Sequence, residues 1–128
     1  AVCNYQDATS GVWWQITNKS HQEGNYLEAS GTAMFVYSIA KGIRKGYLPI
    51  TFQSKVLRAY NGMIHEFVTK DNSGNIHFNK AVSGAGLGGI PYRDGSYAYY
   101  VSEPKRDDDL KAIGPFIQAC IEISKLKK

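Results

Sequence analysis

The sequence predicts a mainly α fold that also contains a small β-hairpin and Gly-rich loops. Three segments, 28–45, 52–67 and 109–126, repeat apolar residues at steps of three and four, which is typical of helices. Two short apolar runs flank a Gly-containing turn at 70–75 and predict the hairpin. The 128 residues have the length of one domain, so we predict a single domain over 1–128.

The first predicted helix is apolar on nearly every side. Ala33, Tyr37 and Ala40 form one apolar stripe, and Phe35 and Val36 occupy other faces of the same helix. A helix with this pattern is buried on most of its sides. We therefore expect it to lie at the centre of the fold, covered by the other elements.

The second predicted helix has one apolar stripe and one face in water. Val56, Tyr60 and Met63 lie on the stripe, whereas Lys55 and Arg58 lie opposite it. A buried helix followed by a half-exposed helix fits an inner and an outer helix of a double-layered α/α toroid. A small helical bundle fits equally well, and periodicity does not separate the two architectures.

Shorter elements fill the rest of the chain. Alternating apolar residues over 11–16 predict a short strand, and the segment 96–101 predicts a short helix. Asp107, Asp108 and Asp109 precede the last helix and suit its N-terminus, because acids are favoured there.

Composition and charge exclude several classes of partner. The net charge of +4 is modest and no Lys/Arg stripe with interleaved aromatics is present, so no nucleic acid is expected. The basic residues are scattered, apart from Lys125, Lys127 and Lys128, which the dipole of the last helix favours. No apolar run approaches the ~20 residues of a membrane span, so no membrane partner is expected. The compartment stays open between cytoplasm and periplasm.

Motifs for cofactors and metals fail on their context. The segment 84–89 matches G-x-G-x-x-G, but no helix opens after it, so a dinucleotide site is rejected. The segment 71–75 resembles a calcium loop but lacks its glycine and its final glutamate, and it is predicted to be a turn. His21, His65 and His77 are not spaced as metal ligands. We expect neither a metal nor an organic cofactor.

Three carboxylates are candidates for sugar chemistry, because glycoside hydrolysis usually requires a pair of acids. They are Asp7, Glu28 and Asp94. Glu28 stands at the start of the buried helix, where a capping role is the alternative. Asp94 lies in a Tyr-Arg-Asp-Gly-Ser segment, where a role as a turn residue is the alternative. Sequence separation does not show whether any two of them converge.

A series of motifs follows the chain in a recognisable order. They are Gln6-Asp7, Gly11-Val12-Trp13-Trp14-Gln15, residues 24–35, residues 85–89, residues 91–96, Tyr99-Tyr100 and the last helix around 114–123. In this order they resemble the C-terminal half of the unsaturated rhamnogalacturonyl hydrolases, family 105 of the glycoside hydrolases. The resemblance covers essentially the whole chain. Trp14 stands where this family more often has Tyr, a change that keeps an aromatic ring.

The resemblance implies an (α/α)6 toroid, of which this chain holds the last helix hairpins. It also implies removal of a Δ4,5-unsaturated galacturonic acid from the end of rhamnogalacturonan fragments. In that family an Asp protonates the enol-ether double bond, water adds and the hemiketal collapses, without a metal or an organic cofactor. The catalytic residues belong to earlier helices, so we assign no catalytic residue to this chain. We expect a C-terminal fragment that is inactive alone; the alternative is a non-catalytic carbohydrate-binding or oligomerising helical remnant.

The substrate-facing surface is expected on the loops between helices. The predicted substrate-binding residues are Trp13, Trp14, Gln15, Glu28, Tyr92, Arg93, Asp94 and Tyr99. Successive side chains of a strand point to opposite faces, so only one of Trp13 and Trp14 can line a pocket and the other belongs to the core. Arg93 can pair with a uronate carboxylate in a forked geometry, which Lys cannot copy. The alternative is a surface ion pair of Arg93 with Asp94 or Glu103.

Two partners are expected. One is a pectin-derived oligosaccharide, bound in the context of the full-length protein. The other is a second copy of the chain, because an isolated arc of a toroid exposes the apolar face of its inner helices, and large exposed apolar patches usually mark interaction sites.

Overall fold

The structure is a computed structural model that describes residues 1–126, so Lys127 and Lys128, expected near the end of the last helix, lie outside the described residues. The predicted mainly α fold with a small hairpin is confirmed. The helices are α1 (Ala29–Arg44), α2 (Gln53–Phe67), α3 (Tyr97–Ser102) and α4 (Leu110–Leu126). The strands are β1 (Val68–Lys70), β2 (Ile76–Phe78), β3 (Ala81–Val82) and β4 (Lys105–Arg106), and 3-10 turns occupy Val2–Tyr5 and Ile50–Phe52.

The strands form two antiparallel pairs. β1 and β2 make the predicted hairpin, with Thr69 opposite His77. β3 pairs with β4, which places Ala81 opposite Arg106. The sequence does not predict this second pairing, because strands of two residues carry no periodicity. The predicted short helix is confirmed as α3, whose first turn is capped by the Ser96 side chain.

α1 and α4 lie side by side and run in the same direction. Val82 of β3 meets both of their N-terminal ends: its N–H donates to Glu28 Oε1 over 3.0 Å, and its carbonyl accepts from Lys111 Nζ. Near the other ends, Arg44 Nε donates to Glu122 Oε2 over 2.5 Å. Two parallel neighbours of this kind correspond to two inner helices of a toroid.

α2 runs antiparallel to α1. The carbonyl of Phe67, the last residue of α2, accepts the N–H of Asn79 over 2.8 Å. Lys80 follows Asn79 in the chain, and its carbonyl accepts the N–H of Ala29 over 3.2 Å. The end of α2 therefore lies beside the start of α1. This is the relation expected between an outer helix and the inner helix before it.

The core lies between α1, α2 and α4. Nine of the 16 residues of α1 are buried, as expected of a helix that is apolar on most sides. Val36, Met63 and Ile123 represent the three helices in this core, and the Phe78 ring stacks on Phe116 with 4.4 Å between centroids. Each large apolar side chain buried in this way stabilises the fold by about 1.5–3 kcal/mol relative to exposure.

The strand predicted at 11–16 is wrong. The segment forms a single bridge, between Trp14 and Leu27. Gly11 adopts a left-handed φ of +80°, and its N–H donates to the Asp7 carbonyl over 3.0 Å. The chain therefore turns at Gly11, where a residue with a Cβ would be strained, and no ladder is formed before the bridge.

The acidic run ahead of α4 has a broader role than predicted. The Asp107 carboxylate accepts the Lys80 N–H over 3.0 Å, and the Asp108 carboxylate accepts the Phe78 N–H over 2.9 Å. The Asp109 carboxylate accepts the N–H of Lys111, in the first turn of α4, over 2.9 Å. Only Asp109 caps the helix. The other two hold the end of the β1–β2 hairpin against the start of α4.

Glu28 caps α1 and holds β3. Its Oε1 accepts from the Ser30 N–H over 2.9 Å, from the Ser30 hydroxyl over 2.6 Å and from the Val82 N–H over 3.0 Å. Its Oε2 accepts from the Gly31 N–H over 2.6 Å. The residue is only 5% exposed, and a buried carboxylate needs such donors because burial of an unpaired charge is costly.

His77 connects the hairpin turn to the start of α4. Its Nδ1 lies 2.6 Å from Asp108 Oδ2 and its Nε2 lies 3.5 Å from Asp71 Oδ2. The hydrogen bonds that the His77 ring donates to the carboxylates of Asp108 and, to a lesser extent, Asp71 raise the pKa of His77 above its usual 6.5. The His77 contact lowers the pKa of Asp108 in return, and hydrogen bonds from Asn75 above all lower the pKa of Asp71 to about 2.

Replacing Glu28 with Gln should lower the free energy of unfolding by about 2 kcal/mol. The substitution removes the negative charge that is favoured at a helix N-terminus, and the amide NH2 of Gln then faces N–H and O–H donors instead of acceptors. Urea denaturation followed by circular dichroism measures the change. Glu23→Gln, at an exposed loop position, is the matched control and should stay within about 0.5 kcal/mol of wild type. Equal unfolding midpoints for the two variants would contradict the anchoring role of Glu28.

The His77 contacts should make stability depend on pH. A histidine whose pKa is raised in the folded state stabilises it fully below the unfolded pKa, near 6.5, and this contribution is lost as pH rises through the folded value. Wild type should therefore lose more unfolding free energy than His77→Asn between mildly acidic and mildly alkaline pH. An NMR titration should show His77 titrating above 6.5 and shifting towards that value in Asp71→Asn. A wild-type His77 pKa at or below 6.5 would refute this account.

Candidate functional site

The loops that precede α1 and α4 meet at one end of the molecule. The Tyr97 hydroxyl of α3 donates to the carbonyls of Gln22 and Glu23 over 3.2 and 2.8 Å. Gly24 packs against Val101 of the same helix, so closely that an added Cβ would lie 3.3 Å from it. The structure thus brings together the two loop regions that the sequence predicts to face a sugar.

Three of the predicted substrate-binding residues share one concavity. Tyr92, Asp94 and Tyr99 line a space of ≈ 550 Å³, together with Ser96. Tyr92 is largely exposed, so its ring is available to a ligand. The Ser96 N–H donates to Asp94 Oδ1 over 2.8 Å, and this bond lowers the pKa of Asp94. Aromatic rings beside an ionised carboxylate suit a hydroxyl-bearing ligand with apolar C–H faces.

Gln15 lines a separate cleft. This cleft encloses ≈ 310 Å³ and includes Tyr100 and Ala85 on its other side. The Gln15 N–H donates to the Tyr26 carbonyl over 2.8 Å, which fixes the backbone and leaves the side chain at the cleft. The structure therefore places Gln15 and the trio of Tyr92, Asp94 and Tyr99 in different concavities of the same end.

The two tryptophans have different environments. Trp13 is 2% exposed; its Nε1 donates to the Val2 carbonyl over 3.0 Å, and its ring meets Phe35 edge-on at 5.2 Å. Trp14 is half-buried, and its Nε1 donates to Asp7 Oδ2 over 3.0 Å. Trp13 is thus the member of the pair that belongs to the core, and Trp14 is the one that reaches the surface.

Arg93 organises the Gly-rich loop. Its backbone pairs with Gly88, and its Nε donates to the Gly88 carbonyl over 2.8 Å. A Cβ at Gly86 or Gly89 would lie 2.7 or 2.9 Å from the guanidinium, so the flexible arginine side chain would have to shift, and Gly89 also has a left-handed φ of +87°, which favours glycine. Among the residues that the structure describes, Arg93 forms no ion pair with Asp94 or Glu103. The guanidinium therefore packs within the Gly-rich loop, and Arg93 is not among the described residues that line the concavity of Tyr92, Asp94 and Tyr99.

Glu28 lies beneath this end of the molecule rather than in an open cleft. Its carboxylate is taken up by the four donors described above, as the alternative of a capping role predicts. Near Glu28, Lys105 covers the ring of Tyr26, and its Nζ lies 4.5 Å from the ring centre. Burial and then the charges of Glu28 and Glu103 raise the pKa of Tyr26 to about 12. The sequence does not predict the contact of Tyr26 with Lys105, because only the fold brings these segments together.

Within residues 1–126, no cluster of three or more His, Cys, Asp or Glu side chains is placed to hold a metal ion. No helix in the same part of the chain is long and apolar enough to span a membrane.

Comparison with known proteins identifies relatives over nearly the full chain. The family described as Glycosyl Hydrolase Family 88 matches residues 1–127. Protein Atu3128 of Agrobacterium fabrum is 34% identical over an aligned length of 119 residues, and the match covers 88% of this chain and 51% of that protein. The 24.9 kDa protein in the picA locus of Rhizobium radiobacter matches with the same values. The chain spans about half the length of the curated relatives it matches.

Solved structures show the same fold. A family 105 glycoside hydrolase from C. acetobutylicum is 44% identical, with a TM-score of 0.93 over 97% of this chain and 34% of that one. Possible family 105 members from Salmonella enterica and Klebsiella pneumoniae give TM-scores of 0.73 and 0.65 at 23% and 25% identity. They cover 98% and 95% of this chain, and 29% and 26% of their own chains are matched. These neighbours are (α/α)6 toroid enzymes, which confirms the predicted partial toroid. The chain belongs to Glycosyl Hydrolase Family 88.

Proposed function

We propose that this chain is the C-terminal, sugar-contacting part of a hydrolase that removes Δ4,5-unsaturated galacturonic acid from rhamnogalacturonan fragments. The observation that carries the proposal is the concavity of Tyr92, Asp94 and Tyr99 in a chain of this family. The resemblance of its motifs to the unsaturated rhamnogalacturonyl hydrolases supports the substrate. The partner in this proposal is a pectin-derived oligosaccharide, bound in the context of the complete toroid.

The chemistry of the concavity supports a uronic acid ligand. Tyr92 and Tyr99 offer ring faces to sugar C–H groups, and Asp94 offers carboxylate oxygens to hydroxyls. In this proposal Arg93, whose Nε is bound to the Gly88 carbonyl, holds the uronate carboxylate through its two Nη groups. The chain's net charge of +4 adds a weak long-range attraction for an anionic sugar.

None of the three carboxylates singled out by the sequence is suited to proton donation. A general acid must carry a proton near neutral pH. The Ser96 N–H lowers the pKa of Asp94, so this group is ionised. Burial alone would raise the pKa of Asp7, but hydrogen bonds from Ser10, Trp14 and Thr9 lower it to about 2. The four donors around Glu28 likewise leave no exposed oxygen for a substrate. The proposal therefore places the general acid outside this chain.

A second candidate function, oligomerisation, is favoured by an exposed apolar stripe. The stripe consists of Leu110, Ile117 and Ile121 of α4, which are 81%, 53% and 47% exposed, and Met34 of α1 is 41% exposed. An inner helix of a closed toroid has neighbours on both sides, so an uncovered inner face favours association. We assign a second copy of the chain as its occupant, because symmetric pairing is the commonest solution.

The uronate assignment predicts the behaviour of a chimera. This chain, replacing the matching third of the C. acetobutylicum enzyme, should hydrolyse an unsaturated rhamnogalacturonan disaccharide, whereas the chain alone should show no turnover. Arg93→Lys in the chimera should lower kcat/KM about tenfold, because the forked contact with a charged group is lost. Loss of the double-bond absorbance measures the reaction. Arg106→Lys, on β4, is the matched control and should keep the chimera's activity. Turnover by the isolated chain, or equal kcat/KM for both variants, would contradict the proposal.

The self-association assignment predicts a dimer that one charge disrupts. Sedimentation of the chain at micromolar concentration should show dimers, and Ile117→Glu should shift them to monomers, because a carboxylate in an apolar interface loses its hydration without a partner. Ile76→Glu is a matched control: Ile76 is also an exposed isoleucine, but it lies on the β1–β2 hairpin. A clean monomer for the unmodified chain would refute the second candidate.

A further inference from the structure

A pocket lies between the N-terminal 3-10 turn and the first turns of α2. It encloses ≈ 320 Å³, at the lower end of the range for small-molecule sites, about 300–1,000 Å³. Its described lining residues are Cys3, Gln6 and Ala8 on one side and Ser54, Lys55 and Arg58 of α2 on the other. None of them lines the two concavities described above, so this pocket is a separate feature of the molecule.

Hydrogen bonds across the pocket fix its two walls relative to each other. Gln6 Nε2 donates to the Lys55 carbonyl over 2.9 Å. Arg58 Nη2 donates to the carbonyl of Asp7 over 3.2 Å and also to that of Ala8. The arginine side chain is therefore held in place before any ligand arrives, which lowers the cost of ordering it on binding.

Three side chains of α2 supply donors to this pocket. Ser54 and Lys55 lie four and three residues before Arg58, so all three share one face of the helix. Among the described residues, the Ser54 hydroxyl and the Lys55 ammonium have no hydrogen-bond or ion-pair partner, and Nε and Nη1 of Arg58 are likewise unpaired. A hydroxyl, an ammonium and a guanidinium are donors that suit phosphate oxygens.

The charges around the pocket favour an anion. Its described lining residues include two cations and no Asp or Glu. Two carboxylates belong to neighbouring concavities, and both have other partners. Asp7 accepts N–H groups of Ser10 and Trp14, and Glu66 lies 4.0 Å from Lys80 Nζ. The two cations of the pocket thus attract a dianion more strongly than a monoanion.

The pocket is larger than a phosphate group alone requires. A bare phosphate ion would fill only part of the ≈ 320 Å³. The wall opposite α2 adds the Cys3 thiol and the Ala8 methyl group, which suit the carbon part of a ligand. Gln6, whose Nε2 is already bound, still offers Oε1 as an acceptor for a hydroxyl.

We propose that the Cys3–Arg58 pocket, defined by Cys3, Gln6, Ala8, Ser54, Lys55 and Arg58, binds a small phosphate monoester that carries hydroxyl groups. The phosphate oxygens take the free donors of α2, and the carbon part lies against the 3-10 turn. Because Arg58 also holds the loop at Asp7, the bound ester stabilises that loop as well. The inference goes beyond the proposed function and does not rest on it.

Three probes test the pocket. α-Glycerophosphate is a hydroxyl-bearing monoester, inorganic phosphate lacks the carbon part, and D-galacturonate is a hydroxyl-bearing monoanion. In amide NMR spectra of the isotope-labelled chain, the ester should shift the resonances of Cys3, Ser54 and Lys55 in a saturable manner. Inorganic phosphate should shift the same resonances but bind more weakly. Galacturonate at equal ionic strength should leave them in place.

Variants and a chemical label localise the effect. Lys55→Gln removes a side-chain charge that holds no other part of the fold, and it should weaken ester binding about tenfold, because a charge-assisted bond is lost. Lys45→Gln, at an exposed lysine after the end of α1, is the matched control and should bind as wild type. Bound ester should slow alkylation of Cys3 by iodoacetamide. Cys120, a partly buried thiol on α4, is the internal reference and should react at an unchanged rate.

The contrary results are distinct. The site is refuted if the ester causes no saturable shift, if Lys55→Gln binds it as wild type does, or if the ester slows the alkylation of both thiols equally. Equal or tighter binding of inorganic phosphate would overturn the monoester assignment. Equal shifts with galacturonate would overturn the preference for a dianion.

Discussion

The buried carboxylate of Glu28 is the contact on which the rest of the arrangement depends. It closes the N-terminus of α1 and, through Val82, ties β3 to the same point. The Val82 carbonyl of β3 in turn accepts a hydrogen bond from Lys111 Nζ, in the first turn of α4, and β3 also pairs with β4. The starting ends of two parallel inner helices are thereby held together, and the loops that carry the candidate sites emerge from this junction.

The same use of acids recurs around the junction. Asp107 and Asp108 bind backbone N–H groups at the end of the hairpin, Asp109 caps α4, and Asp7 folds the loop that supports Trp14. A carboxylate that accepts several N–H bonds is stabilised in its ionised form, so it shapes a loop well and donates a proton poorly. Among the three carboxylates that the sequence singles out, such bonds lower the pKa of Asp7 and of Asp94.

The sequence predicts the regular elements of this fold well, because periodicity reports which side of a helix is buried. The boundaries of α1, α2 and α4 differ from the predicted ones by one residue at most at each end. The strand predicted at 11–16 does not form because the pairing of this segment is limited to one bridge, between Trp14 and Leu27. For the candidate site, the sequence selects loops that the structure brings together at one end of the molecule, but it does not give the side-chain directions. Those directions depend on bonds between distant segments, such as Trp14 to Asp7 and Tyr97 to Gln22, which no local pattern reports.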